Sequence, residues 1–310
     1  MSLDYAAHSP YTDPGPHARL LDALPDTLPE LTEVVRNVIV HYTGSGLTFT
    51  AERLAEIDNR WVERILDTDQ SRFGVPLAEP RPLADRVAGC CRDYTLLTVA
   101  ALRQRGVPAR SRIGFAPYMS AGFVYDHVVA EYWTGDRWAL ADAQLDPAAP
   151  WPFDPLDIPR QKGPLTKAAF TTAAGAWTAY RRGEIDPGVY GVAPGSPYTG
   201  PRFIGHYVLL ELAHRRRDEL LLWDTWGEDG TPGDASPEGA LPEDALADLH
   251  LTDEIAALLL SADEGDDQAE ETLAARYRTD PRLNPGDHVL CLSPSGTRTR
   301  IDLTTRTAIS

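Results

Sequence analysis

The 310-residue chain contains little lysine and no long apolar run. Only two of its 29 basic residues are lysine, which we attribute to genome composition rather than to function. No stretch reaches the roughly 18 apolar residues that a membrane helix needs. The N-terminus has neither the basic region nor the apolar region of a signal peptide. We therefore expect a cytoplasmic protein that is not inserted in a membrane.

Positive charge is also scarce, because 46 acidic side chains outnumber the basic ones and give a net charge of −17. A strongly acidic surface repels phosphate backbones, and the only basic triplet is Arg215-Arg216-Arg217. Nucleic acid is therefore excluded as an expected partner. The hydrophobic content of 43% is typical of a globular protein with a substantial core.

Cysteine is the third scarce residue type. The chain has Cys90, Cys91 and Cys291, an odd number that does not form the disulfide framework of a small secreted domain. The adjacent pair lacks further ligands at the usual metal-site spacing. We expect reduced thiols, no bound metal and no cofactor.

The negative charge is concentrated near the C-terminus, since residues 228–310 have a balance of −12 and residues 1–227 a balance of −5. A stretch rich in glycine, proline and acids follows Gly227 and is typical of a linker. We predict a domain over 1–227, with N-terminal helices and a helical extension at 147–227. Residues 228–310 are predicted to be an acidic C-terminal segment with a helix and a hairpin that turns at Ser295-Gly296.

The period of the apolar residues changes from helical to strand-like in the first half of the chain. Residues 28–42 and 49–67 show helical spacing, and so does the segment that begins at Cys91 and ends before Gly106. Three short segments rich in β-branched and aromatic residues then predict antiparallel strands; these are ARSRIGFA, DHVVAEYW and RWALAD. A helix that leads into such a sheet predicts an α+β fold.

Cys91, His127 and Asp142 are the candidate functional residues. Cys91 lies in the first turn of its predicted helix, where the unpaired N–H groups and the helix dipole favour a thiolate. His127 opens one strand and Asp142 closes the next, so a tight hairpin brings them side by side. The three side chains provide a nucleophile, a general base and an orienting acid.

These segments closely resemble the core of the transglutaminase-like superfamily. The resemblance covers residues 86–146, less than a quarter of the chain. The matching positions are Gly89-x-Cys91, Leu102-Arg103-x-x-Gly106-Val107-Pro108-Ala109-Arg110, His127 and Asp142. The resemblance implies a papain-like α+β core and a thioester acyl-enzyme. The superfamily includes cross-linkers, amidases, proteases, N-glycanases and inactive scaffolds, so it does not name the substrate.

We therefore expect cysteine-dependent acyl transfer or amide hydrolysis on a peptide, amide or thioester substrate. The alternative is a non-catalytic transglutaminase-like scaffold in which Cys91 is a small buried side chain. Cys90 points about 100° away around the helix, which favours a packing role. Asp146 competes with Asp142 for the orienting role, and we favour Asp142 because it ends the apolar strand. The sequence leaves the oligomeric state open.

Overall fold

The computed structural model describes residues 3–161, 166, 168–227 and 243–309, with the backbone alone for 243–248. The helices are α1 (Ala18–Asp22), α2 (Leu28–Val38), α3 (Ala51–Leu54), α4 (Val62–Arg72), α5 (Cys91–Gln104), α6 (Ala173–Arg181), α7 (Gly200–Arg215), α8 (Glu243–Asp263) and α9 (Asp267–Thr279). The strands are β1 (Ile39–His41), β2 (Val87–Gly89), β3 (Ala109–Ala116), β4 (Val124–Trp133), β5 (Trp138–Ala141), β6 (Thr171–Thr172), β7 (Tyr190–Gly191), β8 (Asp224–Thr225), β9 (His288–Leu292), β10 (Arg298–Asp302) and β11 (Thr307–Ile309).

The central sheet has the strand order β5-β4-β3-β6, and β7 pairs in parallel with the start of β4. β3, β4 and β5 are antiparallel neighbours, as predicted. All eight residues of β3 are buried, because α5 and α7 both pack on this part of the sheet. The predicted α+β class is confirmed.

The first predicted helix is shorter than its apolar pattern indicated. α2 ends at Val38, and the residues after it form β1, which pairs in parallel with β2. Ile39 and Val40 are β-branched residues that favour a strand, and they bury their side chains in this pairing. The register places His41 opposite Gly89, two residues before Cys91.

The second predicted helix is broken into α3 and α4 by the residues before Trp61. Thr50 caps α3, since its hydroxyl accepts a hydrogen bond from the N–H of Arg53. Arg60, in the break, is buried, and its Nε donates to Asp224 at 2.9 Å. The helix is interrupted where Arg60 pairs with a residue distant in the sequence. The spacing of nearby apolar residues does not predict such a break.

The C-terminal residues form α8, α9 and a sheet with the order β11-β10-β9-β8. The predicted hairpin is confirmed, since Leu292 of β9 pairs with Arg298 of β10. Buried residues such as Ile255 belong to the same apolar cluster as Leu97 of α5. The predicted linker after Gly227 lies largely in 228–242, outside the described residues, and the domain boundary stays a prediction.

Within the described ranges, no helix is both long and apolar enough to cross a membrane.

Candidate active site

Cys91 occupies the first position of α5, and Cys90 caps the helix. The backbone N–H of Cys90 donates to Asp93 Oδ2 at 2.8 Å, and Arg92 donates to Asp93 Oδ1 at 2.9 Å. A side chain at Gly89 would crowd this cap, because its Cβ would lie 2.8 Å from Asp93 Oδ2. The cap therefore holds Cys91 where the helix exposes its first N–H groups, a favourable place for an anion.

His127 and Asp142 lie together on the neighbouring strands. Ala130 of β4 pairs with Ala141 of β5, and Asp142 follows directly. The Nε2 atom of His127 is 2.6 Å from Asp142 Oδ2, and both side chains are buried. Cys91 and His127 lie close enough for each side chain to shift the pKa of the other, and the ring nitrogen Nδ1 is not used by Asp142. The structure thus brings all three predicted side chains together.

Asp146 does not take part in this contact. Its side chain is exposed, and Oδ1 accepts a hydrogen bond of 2.9 Å from the N–H of Ala148 in the next turn. The preference for Asp142 over Asp146 therefore agrees with the geometry. The catalytic roles of Cys91, His127 and Asp142 stay predictions.

The electrostatics of the site favour a thiolate facing an imidazolium. A hydrogen bond from Cys90 lowers the pKa of Cys91 more than burial raises it, and His127 lowers it further. Burial lowers the pKa of His127, but the charge and hydrogen bond of Asp142 outweigh burial and raise that pKa to about 10. The proton is therefore more stable on His127 than on Cys91 at neutral pH.

Cys90 contributes more than the packing role that the sequence predicted. Its side chain is buried and hydrogen-bonds to Cys91, and this contact together with burial raises the pKa of Cys90. The thiol of Cys90 therefore stays protonated and donates to the Cys91 thiolate. The 100° offset indicated correctly that Cys90 is not equivalent to Cys91, but it did not reveal this contact.

Two residues that were not predicted from the sequence also lie at the site. The hydroxyl of Tyr118 donates to Asp142 Oδ2 at 3.2 Å, and its ring packs edge-on against His127. His41 lies close enough to influence the pKa of Cys91. Tyr118 is in a loop without periodicity, and His41 ends a strand that the helical pattern concealed. Neither position has a local signal that could have identified it.

Two carboxylates that precede Trp61 in the sequence are bound to other parts of the fold. The carboxylate of Asp58 accepts a hydrogen bond of 2.8 Å from the indole of Trp223. Glu56 accepts one of 2.9 Å from the N–H of Ala88. These two residues connect the turn between α3 and α4 to β2 and to Trp223.

All three cysteines are free thiols. The described residues contain no group of three or more His, Cys, Asp or Glu side chains arranged to hold a metal ion.

Comparison with known families agrees with this site. Residues 45–143 match the model of the Transglutaminase-like superfamily, a range that includes Cys91, His127 and Asp142. The match covers about a third of the chain and confirms the predicted resemblance to that superfamily. The match supports the coarse class of papain-like cysteine enzymes.

No curated protein matches the chain. Among solved structures, a "putative cysteine protease" from Cytophaga hutchinsonii is similar, with 19% sequence identity and a TM-score of 0.29. The match covers 45% of this chain and 40% of that one, so the chain corresponds to less than half of that protein.

Proposed function

We propose that the protein catalyses acyl transfer or amide hydrolysis through a thioester on Cys91. The thiolate of Cys91 attacks the carbonyl carbon of an amide, ester or thioester. His127 donates its proton to the leaving amine, alcohol or thiol as the bond between this group and the carbonyl carbon breaks. Water or an amine then attacks the thioester, His127 accepts the proton of this nucleophile, and Cys91 is released as a thiolate.

The remaining parts of the site have supporting roles in this proposal. Asp142 orients His127 and stabilises its protonated form. The N–H of Cys91 lies at the first position of α5, where the helix offers it no acceptor, so it is available to the oxyanion of the tetrahedral intermediate. Neither step needs a metal or a cofactor.

The observation that carries the proposal is the buried hydrogen bond between His127 and Asp142, together with the position of His127 close enough to Cys91 to lower the pKa of the thiol. A packing role for Cys91 does not explain why a hydrogen-bonded imidazole and carboxylate lie beside it. The superfamily match of residues 45–143 supports the same conclusion at the level of the enzyme class.

Alkylation with iodoacetamide tests the proposal. We expect Cys91 to be the cysteine that reacts at pH 6–7, because its pKa is lowered, and Cys91→Ala to abolish this labelling. Cys90→Ser is the matched control, since its hydroxyl keeps a hydrogen-bond donor beside Cys91, and it should still be labelled at Cys91. Peptide mass mapping identifies the modified residue. Labelling of Cys90, or a Cys91 that reacts only at alkaline pH, would contradict the proposal and favour the non-catalytic scaffold.

A further inference from the structure

A cavity of about 250 Å³ adjoins the candidate active site. Its lining includes Arg36, His41, Arg86, Tyr94 and Gln144. Tyr94 lies one helical turn after Cys91 on α5, and Gln144 lies two residues after Asp142. The cavity therefore shares two of its walls with the elements that hold the thiol and the carboxylate.

Two arginines give this cavity a positive charge. In the described part of the chain, neither Arg36 nor Arg86 forms an ion pair with a carboxylate. Arg36 donates from one nitrogen, Nη1, to the carbonyls of Ala143 and Leu145 at 3.2 and 3.0 Å. Arg86 donates from Nη1 and Nε to the carbonyls of Arg36 and Arg81. Each guanidinium thus has N–H groups beyond those used by the backbone.

The fully buried arginines among the described residues are neutralised by carboxylates. Arg60 pairs with Asp224, and Arg112 pairs with Glu211. By contrast, burial lowers the pKa of both Arg36 and Arg86; the charges of Asp146 and Glu33 act on Arg36 in the opposite direction but do not offset burial. Because Arg36 and Arg86 are partly buried and have no ion-pair partner, an anion in the cavity would supply the charge that offsets this desolvation.

The side-chain amide of Gln144 is the second observation that points to a ligand. Its oxygen is buried and has no hydrogen-bond partner among the described residues. A buried acceptor of this kind costs free energy until an N–H group reaches it. The lining of the cavity therefore contains N–H donors for an anion and a buried acceptor that lacks an N–H partner.

We propose that this cavity binds a carboxylate of the substrate, with Arg36 and Arg86 holding the carboxylate and Gln144 accepting an amide N–H beside it. This inference rests on the proposed function, because it identifies the substrate that Cys91 attacks as an anionic, peptide-like acyl compound. The volume is smaller than the roughly 300–1,000 Å³ of pockets for whole small molecules, so it fits a side chain or a chain end. An acidic side chain and a C-terminal carboxylate share this chemistry.

Two thioesters with the same thiophenol leaving group test the inference. One is the monothioester of glutaric acid, and the other is that of glutaramic acid, which has a carboxamide in place of the carboxylate. The rate at which each acylates Cys91 is measured by intact-protein mass spectrometry. We expect the anionic donor to react on the order of tenfold faster, as charge-assisted hydrogen bonds permit.

The variants Arg86→Gln and Gln144→Glu should remove this preference. The first deletes a cation of the cavity, and the second is nearly isosteric and places a carboxylate inside it. Arg64→Gln is the matched control, since Arg64 is an exposed arginine of α4 outside the cavity. It removes the same charge and should keep the preference. The ratio of the two rates cancels any loss of folded enzyme in a variant.

Two capped peptides distinguish the sources of the carboxylate. One has an internal glutamate and an amidated C-terminus, and the other has glutamine and a free C-terminus. Each is tested for protection of Cys91 against iodoacetamide. Stronger protection by the first assigns the cavity to an acidic side chain, and stronger protection by the second assigns it to a chain end. If neither peptide protects Cys91, the inference is contradicted.

The cavity can be tested even where the proposed function fails. If neither thioester acylates Cys91, free glutarate should still raise the melting temperature of the wild type more than glutaramide does, and Arg86→Gln should lose this difference. Equal acylation rates for the two thioesters, or no melting difference between the two ligands, would overturn the inference and leave the proposed function untouched. A preference that persists in both Arg86→Gln and Gln144→Glu would overturn it as well.

Discussion

Cys90 acts on the candidate nucleophile through one hydrogen bond. Its side chain is the largest of the influences that lower the pKa of Cys91. A thiol that donates to a neighbouring thiolate stabilises the charged form, and the protein interior strengthens this effect. The adjacent cysteine pair therefore has two different roles, with one sulfur protonated and the other ionised.

We expect Cys90→Ala to slow the alkylation of Cys91 at pH 6 by about tenfold, because the thiolate loses a charge-assisted hydrogen bond. The pH at which half of Cys91 is reactive should rise. Cys90→Ser is the matched variant, since its hydroxyl keeps a donor and should preserve most of the rate. A pH profile of iodoacetamide labelling measures both. Identical profiles for the alanine variant and the wild type would show that Cys90 only fills space.

Asp142 controls the proton on His127. Its charge and hydrogen bond raise the pKa of His127 to about 10 against the opposing effect of burial. In Asp142→Asn the effect of burial remains, so the pKa of His127 should fall below its ordinary value. Cys91 then loses its cationic partner, and below pH 8 its alkylation rate should fall about tenfold per pH unit, as for an ordinary thiol.

The wild type should keep its alkylation rate nearly constant over the same range. This constant rate follows from the two pKa shifts. The thiolate–imidazolium pair persists between the lowered pKa of Cys91 and the raised pKa of His127. Asp146→Asn is the control and should resemble the wild type, since Asp146 is exposed and bonded within its own turn. A flat profile in Asp142→Asn would remove Asp142 from the proposed mechanism.

At the level of elements, the contact between β3 and β6 supports the position of His127. Gly114 of β3 pairs with His127 on one side and with Thr172 of β6 on the other. A Cβ at Gly114 would overlap the carbonyl oxygen of Thr171 and lie 2.8 Å from the Cα of Thr172. The close approach of the strands thus requires glycine at this position.

Gly114→Ala should therefore lower the free energy of unfolding by about 2–3 kcal/mol, since backbone atoms must move to admit the methyl group. Gly122→Ala is the control, because a Cβ added at Gly122 would meet no heavy atom within 4 Å and this residue does not have a left-handed φ. It should change the stability by less than about 0.5 kcal/mol. Urea denaturation of the wild type and the two variants measures the difference. Equal stabilities would show that β6 can move away from β3 without loss of stability.

The elements around the site differ in how far the sequence could predict them. α5 and β3 to β5 were predicted almost to the residue, because glycine, proline and periodicity mark their ends locally. The break at Arg60 and the strand that ends at His41 were not predicted, because both depend on partners distant in the sequence. The triad was predictable from its motifs, whereas the Tyr118 contact and the cationic cavity arise only from tertiary packing.

At the scale of the whole molecule, the change in charge after Gly227 does not coincide with a change in packing. Asp263, near the end of α8, forms ion pairs with Arg112 of β3 and Arg215 of α7. Arg112 is itself buried and also pairs with Glu131 and Glu211. Part of the acidity of the C-terminal residues thus neutralises arginines of the central sheet.

Asp263→Asn should destabilise the protein by about 2 kcal/mol, because Arg112 and Arg215 lose a carboxylate that they share and keep only their other partners, such as Glu211 and Glu270. Glu254→Gln is the control on the same helix, since Glu254 pairs with Arg276 at the surface, and it should cost less than about 1 kcal/mol. Thermal and urea denaturation at pH 7 measure both. If the two variants are equally stable, the acidic segment does not contribute to the folding of the sheet through this network.

The effect of Asp263→Asn on stability should depend on pH. Burial raises the pKa of Asp263, but the charges of Arg112 and Arg110 outweigh burial and hold that pKa below its ordinary value of 3.8. A lowered pKa means that the carboxylate contributes stability above the ordinary value, and that this contribution is lost as the pH falls towards the folded-state pKa. The gap in stability between wild type and Asp263→Asn should therefore be full at pH 7 and narrow below pH 4. A gap independent of pH would assign the effect to packing rather than to charge.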